Sequence, residues 1–205
     1  MKRNLYIATA LAGVAFVSAT AESAVYFEFN TVIAGDPQGG PAFATLLIEN
    51  NGTDSVSMTF SHTADPNLAG GQAIKTLLLN VDAYVPVTVT STSSKLTSFS
   101  SSQDGQNDSG ASFDLQMEFD IAPPSDRFVA GDSIVMEATG IGLTENSFAA
   151  LSTGNAQYEG MIHFISIPPN GDSAKVVTGE PVPEPASLGA IALGIAALLG
   201  RRRKK

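Results

Sequence analysis

The sequence predicts an all-β protein, and within that class an antiparallel β-sandwich of immunoglobulin-like or jelly-roll type. Two observations support this prediction. Apolar residues recur at every second position in several short segments, and turn-forming residues separate those segments. Alternation with period two is typical of a strand that buries one face. About eight such segments divided by turns are typical of a sandwich, and residues 22–180 are long enough for one such domain.

The clearest strand candidate is residues 113–121, in which apolar and polar residues alternate without a break. Its apolar side chains predict a buried face, and Asp114, Glu118 and Asp120 predict a solvated face. The same alternation predicts further half-buried strands in three shorter segments, at residues 56–60, 85–89 and 134–138.

Two apolar runs are more continuous, at residues 43–48 and 74–81. They predict strands that are either buried on both faces or placed at the edge of the sandwich. Apolar runs at residues 25–29 and 161–167 predict the strands that open and close the sheet system. Asn50-Asn51-Gly52 predicts a hairpin turn after the first run, because Asn-Gly tolerates positive φ.

The remaining segments of the body are less regular. Residues 91–110 are rich in Ser, Gly, Asp, Asn and Gln, and predict either a long loop or a ragged hairpin. Residues 144–151 predict one short helix with Thr144 as its N-cap. Residues 168–181 contain repeated Pro and Gly, and predict a linker. The predicted β-sandwich domain therefore covers residues 22–167.

The body is strongly acidic. The whole chain has a formal net charge of −9, but residues 22–180 contain only four basic residues against 19 acidic ones, which gives −15. Nucleic acid is therefore excluded as an expected partner, because phosphate binding needs clustered Lys and Arg. The chain has no cysteine, so the domain is expected to fold on its hydrophobic core without disulfides.

The N-terminus predicts a secretory signal peptide over residues 1–21. Lys2 and Arg3 precede an apolar stretch at residues 5–17, and Ala19 and Ala21 form a small-x-small cleavage site. The apolar stretch is shorter than the roughly 20 residues that a membrane span needs. We expect a signal helix, delivery to the secretion translocon and cleavage after Ala21, with cleavage after residue 23 as the near alternative.

The C-terminus has three parts over residues 182–205. A proline-rich motif is followed by a short apolar segment at residues 186–200, and a block of five basic residues ends the chain. The apolar segment predicts one short transmembrane helix with the basic block on the cytoplasmic side. The motif residues are Val182, Pro183, Glu184 and Pro185, and the basic stop is Arg201, Arg202, Arg203, Lys204 and Lys205.

Residues 182–205 resemble the PEP-CTERM sorting signal of Gram-negative bacteria, which has a Pro-Glu-Pro motif, one short transmembrane helix and a basic end. The resemblance implies recognition at the inner membrane by an exosortase, a membrane cysteine protease or transpeptidase. It also implies transient anchoring there, followed by the cell surface, the outer envelope or the extracellular matrix, in an exopolysaccharide setting. The body resembles the uncharacterised β-domains that precede this signal. A plain uncleaved tail anchor is the alternative.

The body gives no pattern that predicts catalysis, and we expect a protein that is not an enzyme. The two histidines, His62 and His163, have no helical metal-site spacing, and no nucleophile elbow or phosphate-binding loop occurs. Asp104, Asn107 and Asp108 are weak candidates for a Ca²⁺ site, because they cluster oxygen donors in a Gly-rich segment. Turn geometry explains the same residues, so we expect no cofactor, with Ca²⁺ as the alternative.

These features together predict an exported surface or matrix protein with a structural or adhesive role, in an exopolysaccharide or biofilm context. Exopolysaccharide is the expected partner of the mature protein. The alternative is a glycan- or calcium-binding module. A third class, an exported hydrolase, requires His62 or His163 beside a carboxylate and an exposed Ser in a pocket.

Overall fold

A computed structural model describes residues 24–82 and 84–179. These residues form twelve strands and a short helix α1 at Pro66–Ala69, together with 3-10 turns at Pro124–Asp126 and Glu145–Phe148. The strands are β1 Ala24–Ala34, β2 Ala44–Asn50, β3 Ser55–His62, β4 Ala73–Leu79, β5 Thr88–Ser91, β6 Leu96–Asp108, β7 Ala111–Phe119, β8 Phe128–Val129, β9 Ser133–Thr139, β10 Thr153–Gly154, β11 Gly160–Ile167 and β12 Asp172–Thr178.

All twelve strands belong to one antiparallel sheet. Its central path runs β10-β7-β4-β11-β12-β1-β2-β3-β9-β5, with β6 paired to β7 and β8 paired to β4. The prediction of an all-β protein with antiparallel strands is therefore confirmed. The assignment to an immunoglobulin-like or jelly-roll sandwich stays a prediction.

The sheet curls so that distant strands meet across one core. Phe60 on β3 and Phe119 on β7 are far apart in the strand order, yet their rings stack with centroids 5.5 Å apart. Phe128 on β8 stacks on both rings, at 5.2 and 5.0 Å. All three side chains are at most 2% exposed. In the absence of cysteine, burial of such aromatic surface is the main source of stability, at about 25 cal/mol per Å² of apolar area.

A second, smaller apolar cluster lies apart from this core. It contains Leu78, Ala111, Phe113, Met161 and Val177, each at most 4% exposed. Successive residues of a strand point to opposite faces, so Leu77 joins the main core while Leu78 joins the small cluster. β4 is thus buried on both faces, which explains the continuous apolar run at residues 74–81 and confirms one of its two predicted placements.

The turn predicted at Asn50-Asn51-Gly52 is confirmed. β2 and β3 pair in register from Ala44 opposite His62 to Asn50 opposite Val56. Gly52 has φ of +114° and Asp54 has φ of +62°, which are values that Gly and Asp tolerate better than most residues. The hairpin places Val56, Met58 and Phe60 in the core, as the alternation of apolar residues predicted.

The prediction of a linker over residues 168–181 is wrong for most of its length. β12 occupies Asp172–Thr178 and lies between β11 and β1 in the interior of the sheet. Ala174, Val176 and Val177 are at most 1% exposed. The β-domain therefore extends beyond residue 167. Asn170-Gly171 forms the turn from β11, with φ of +77° at Gly171, and this Asn-Gly pair was the available sequence signal for a hairpin.

The segment at residues 91–110 forms a ragged hairpin, the second of its two predicted forms. β6 pairs with β7 from Leu96 opposite Phe119 to Asp108 opposite Ala111, with register shifts between Leu96 and Ser98 and between Ser101 and Gln106. The short helix predicted over residues 144–151 is a 3-10 turn at Glu145–Phe148, with Thr144 as its N-cap.

The predicted solvated face of residues 113–121 needs one correction. Asp114 is only 8% exposed. Its Oδ1 accepts from the Asp104 backbone N–H at 2.8 Å and its Oδ2 from the Val81 N–H at 3.0 Å. A carboxylate that receives two backbone donors can be buried at a tolerable cost. At the end of the segment, Ile121 is 45% exposed rather than buried, because β7 ends at Phe119.

Candidate functional site

The end of β12 is the point at which the domain meets the C-terminal segment. Thr178 lies opposite Phe29 of β1. The Gly179 backbone N–H then donates to the Glu28 carbonyl at 3.2 Å. A Cβ built at Gly179 would lie 2.6 Å from Oδ1 of Asn30, so a larger residue would force the Asn30 side chain to move. The motif predicted at Val182 begins three residues later in the sequence.

A cleft of about 380 Å³ lies beside this junction. Leu151 on its wall is 56% exposed. Burial raises the pKa of the Glu159 carboxyl above its ordinary value, because the charged form loses hydration there. The cleft offers both polar and apolar side chains next to the junction at Gly179. Its lining residues are Ala149, Leu151, Gln157, Tyr158, Glu159, Thr178 and Gly179.

The weak metal candidates Asp104, Asn107 and Asp108 all lie on β6, but each engages a different partner. Asp104 Oδ1 accepts from the Thr153 hydroxyl at 2.5 Å, and Asn107 Oδ1 accepts from the Ser112 hydroxyl at 2.6 Å. Asp108 Oδ1 forms an ion pair with Lys175 Nζ. The structure therefore does not turn these oxygens toward one point, and no group of three or more His, Cys, Asp or Glu in residues 24–82 and 84–179 is arranged to hold a metal ion.

His62 is an unusual buried residue. It is 1% exposed, and neither ring nitrogen has a hydrogen-bond partner among the described residues. Its ring lies 5.3 Å from the ring of Phe164 and 6.5 Å from that of Phe128. Burial lowers the pKa of His62 from 6.5 to about 4, while the Asp132 charge and the Phe43 backbone act in the opposite direction. His62 is thus a neutral side chain of the core at pH 7.

His163 occupies a different environment on β11, opposite Lys175 and Thr76 in the sheet. Burial and then the charge of Lys175 lower its pKa, and Asp108 partly opposes them. Residues 24–82 and 84–179 show no hydrogen bond from either histidine side chain to a Ser hydroxyl. A cleft of about 630 Å³ beside Asp36, Pro168 and Asp172 has no histidine in its lining.

The basic side chains of the described domain are largely engaged. Lys95 Nζ donates to Asp132 Oδ2 at 2.6 Å and to the Arg127 carbonyl at 2.7 Å. Arg127 donates to the Ile121 carbonyl at 2.9 Å and to the Ser166 hydroxyl at 3.0 Å. With Lys175 paired to Asp108, little positive charge is left for a phosphate backbone.

Several predicted features lie outside the described residues. These are the signal helix and its cleavage residues Ala19 and Ala21, the motif from Val182 to Pro185, the short transmembrane helix, and the basic stop from Arg201 to Lys205. Within residues 24–82 and 84–179, no helix combines the length and the apolar character that a membrane crossing needs.

Of three comparisons with known proteins, one gave a match, and it lies at the C-terminal end of the sequence. Neither the curated proteins nor the solved structures gave a match to the chain. Residues 181–204 match the family model of the PEP-CTERM protein-sorting motif. This match agrees with the resemblance carried by Pro183-Glu184-Pro185, the apolar segment and the basic end. The chain therefore carries a PEP-CTERM protein-sorting motif at residues 181–204.

Proposed function

We propose that this chain is an exported protein whose acidic β-domain has a structural or adhesive role at the cell surface or in the extracellular matrix. The PEP-CTERM motif at residues 181–204 carries the proposal, because it implies export, passage through the membrane and processing by an exosortase. In this proposal the secretion translocon exports the precursor, and the C-terminal segment holds it briefly in the inner membrane. The processed domain then works in an exopolysaccharide or biofilm setting.

The charge of the domain supports an extracellular role of this kind. Residues 24–82 and 84–179 contain 17 acidic and four basic residues, and three of the four basic side chains are engaged with acceptors of the same domain. Such a surface is soluble and repels nucleic acid and anionic lipid. Contact with the membrane is thereby left to the terminal segments of the chain.

Mass spectrometry of the mature protein from its native host tests the proposal. We expect the basic stop to be removed, so that the C-terminus no longer ends at Lys205. Replacing both Pro183 and Pro185 by Ala is expected to leave Lys205 in place, whereas Glu180→Gln, just outside the motif, is expected to be processed normally. A wild-type protein that retains Lys205 in a host with an active exosortase contradicts the proposal.

The non-catalytic role is also a proposal. His62 is closed off in the core, and His163 lies on β11 opposite Lys175, whereas a hydrolase of the serine type needs a histidine bonded to an accessible hydroxyl. We expect the purified protein to show no turnover of ester, peptide and glycoside test substrates. Turnover that His163→Asn abolishes would overturn this expectation.

A glycan-binding module is the second candidate, and strand β6 favours it. This strand of 13 residues presents a row of exposed hydroxyl and amide side chains, including Ser98, Ser100 and Gln103. Phe99, between Ser98 and Ser100, is 39% exposed and offers an apolar contact on the opposite face of the same strand. Retention on an array of bacterial polysaccharides is the test. Binding that Phe99→Ser weakens, and that Val135→Ser on the exposed face of β9 does not, would support this candidate.

Calcium binding is tested by thermal unfolding of the same protein with and without Ca²⁺. Because Asp104, Asn107 and Asp108 engage separate partners, we expect millimolar Ca²⁺ to shift Tm no more than Mg²⁺ does. A shift that is specific to Ca²⁺ and absent from Asp104→Asn would assign a metal site to β6.

A further inference from the structure

The pairing of β1 with β12 stops before β1 does. β1 begins at Ala24, but its pairing with β12 begins only at Phe29 opposite Thr178. On the opposite edge, β2 pairs with β1 from Ala24 onward. Five residues of β1, from Ala24 to Glu28, therefore have no paired strand on the β12 side among the described residues.

The hydrogen bonds at the end of β12 define which groups of β1 point to this open edge. The Glu28 carbonyl receives the Gly179 N–H, and the Phe29 carbonyl receives the Phe43 N–H from the other side. In an antiparallel ladder, a residue directs its N–H and its C=O to the same side, and successive residues alternate. Tyr26 and Ala24 therefore direct their backbone groups to the same edge as Glu28, and Tyr26 is 47% exposed.

The register predicts what a continued ladder would require. With Thr178 opposite Phe29, continuation would place residue 181 opposite Tyr26 and residue 183 opposite Ala24. These would be hydrogen-bonded pairs, like Gly179 and Glu28, so residues 181 and 183 would have to donate their backbone N–H groups. Both positions are proline, which has no N–H. The intervening positions, Glu180 and Val182, would need no donor to β1.

We propose that Pro181 and Pro183 are positioning residues that end the β1–β12 ladder and so keep the sorting motif off the open edge of β1. A motif that joined the sheet would have its backbone covered by Tyr26 and Ala24. A processing enzyme would then have to detach it first. Because neither proline has a backbone N–H to donate to β1, the motif stays accessible to a processing enzyme. This inference rests on the proposed sorting function only for its purpose, because the ladder geometry is independent of it.

Amide hydrogen exchange tests the ladder directly, on the purified full-length protein in detergent. The variant in which Pro181 and Pro183 are both Thr regains both donors and has β-branched side chains that favour strands. We expect the Tyr26 amide of this variant to exchange at least about tenfold more slowly than in the wild type, because it becomes part of the sheet. The matched control replaces Glu180 and Val182 by Thr, with both prolines kept, and we expect it to exchange as the wild type does. Equal exchange in all three proteins overturns the proposal, as does equal slowing in the two variants.

Processing in the native host tests the purpose of this arrangement. Pro181→Thr keeps Pro183-Glu184-Pro185 intact and restores one donor, so we expect a larger fraction of the protein to retain Lys205 than in the wild type. Glu180→Thr is expected to be processed normally. If the single variant shows slower Tyr26 exchange but unchanged processing, the positioning role is overturned. If the wild type itself retains Lys205, the proposed function fails, and the exchange experiment still decides whether the prolines end the ladder.

Discussion

The ring of His62 lies 5.3 Å from the ring of Phe164, and neither nitrogen of His62 has a hydrogen-bond partner among the described residues. A polar side chain enclosed by phenylalanines in this way costs folding free energy, because its hydrogen bonds to water are lost and the Phe43 backbone replaces them only weakly. The cost increases when the ring must accept a proton, since a buried charge is disfavoured more strongly than a buried dipole.

Acid is therefore expected to destabilise the domain through His62. Its pKa is about 4 in the folded protein and 6.5 as a free side chain, so the unfolded chain binds the extra proton between these values. Above pH 6.5, protonation of His62 does not lower the free energy of unfolding. As the pH drops from 6.5 toward 4, this free energy falls by on the order of 3 kcal/mol. Urea unfolding of the wild type and of His62→Leu from pH 7 to pH 4 measures the difference. Parallel pH profiles would show that His62 is not responsible.

Two glycines with nearly the same φ provide a test of close packing. Gly35 has φ of +75° and Gly40 has φ of +76°. A Cβ at Gly35 would lie 2.3 Å from the Ser173 carbonyl oxygen, whereas nothing lies within 4 Å of one at Gly40. We expect Gly40→Ala to cost about 1–2 kcal/mol, the penalty of the left-handed conformation. Gly35→Ala should cost clearly more, because the backbone of β12 has to shift. Equal losses in chemical denaturation would contradict the packing at Ser173.

Asp114 is expected to matter more for stability than other acidic residues on its strand. It joins the end of β4 to β6 through the backbone N–H groups of Val81 and Asp104. Asp114→Asn replaces one accepting oxygen by an NH₂ group that faces a donor, so we expect a loss of about 1–3 kcal/mol. Glu118→Gln on the same strand is the comparison: its donors, the Ser98 hydroxyl and the Gln116 amide, are side chains that can reorient, so we expect a smaller loss of at most about 1 kcal/mol. Thermal unfolding of both variants measures the contrast, and similar Tm values would count against the two-donor role.

The position of β12 inside the sheet gives a further prediction. Val176 is fully buried, whereas Ser173 on the same strand is exposed. Val176→Ala removes two buried methyl groups and is expected to cost about 2 kcal/mol. Ser173→Ala is expected to change stability by less than about 0.5 kcal/mol. If both variants unfold at the wild-type denaturant concentration, this segment behaves as a linker and not as a strand.

The alternation of apolar residues predicted most strands, because burial on one face leaves a direct record in the sequence. Residues 56–60 and 134–138 follow it closely, as parts of β3 and β9. β12 was not predicted, because the nearby Pro and Gly residues are typical of a linker. The alternation from Ala174 to Val176 is too short to outweigh that composition. The buried state of Asp114 could not be predicted either. It depends on two backbone donors that lie 33 and 10 residues away in sequence, and period two alone assigns Asp114 to the solvent.

The candidate site, too, could be predicted from the sequence only in part. The sorting motif is a contiguous run of residue types, so the sequence was sufficient to find it, and the family match at residues 181–204 confirms it. The β6 cluster looked like a set of metal ligands because its oxygen donors are close in sequence. In the folded chain Thr153, Ser112 and Lys175 engage those donors separately. Partners that come from distant strands leave no trace in local spacing.

The adjacency of β1 and β12 has a consequence for the order of events during export. The first strand of the domain and its last strand are neighbours in the interior of the sheet. If the chain is exported from its N-terminus onward, β11 and β1 each lack one neighbouring strand until Asp172–Thr178, the last strand of the described domain, has crossed the membrane. In that order of export, the sheet would be completed only after the C-terminal segment had reached the membrane. Retention of the chain there would give the last strand time to insert before release, and a product cut before residue 172 would lack β12 altogether.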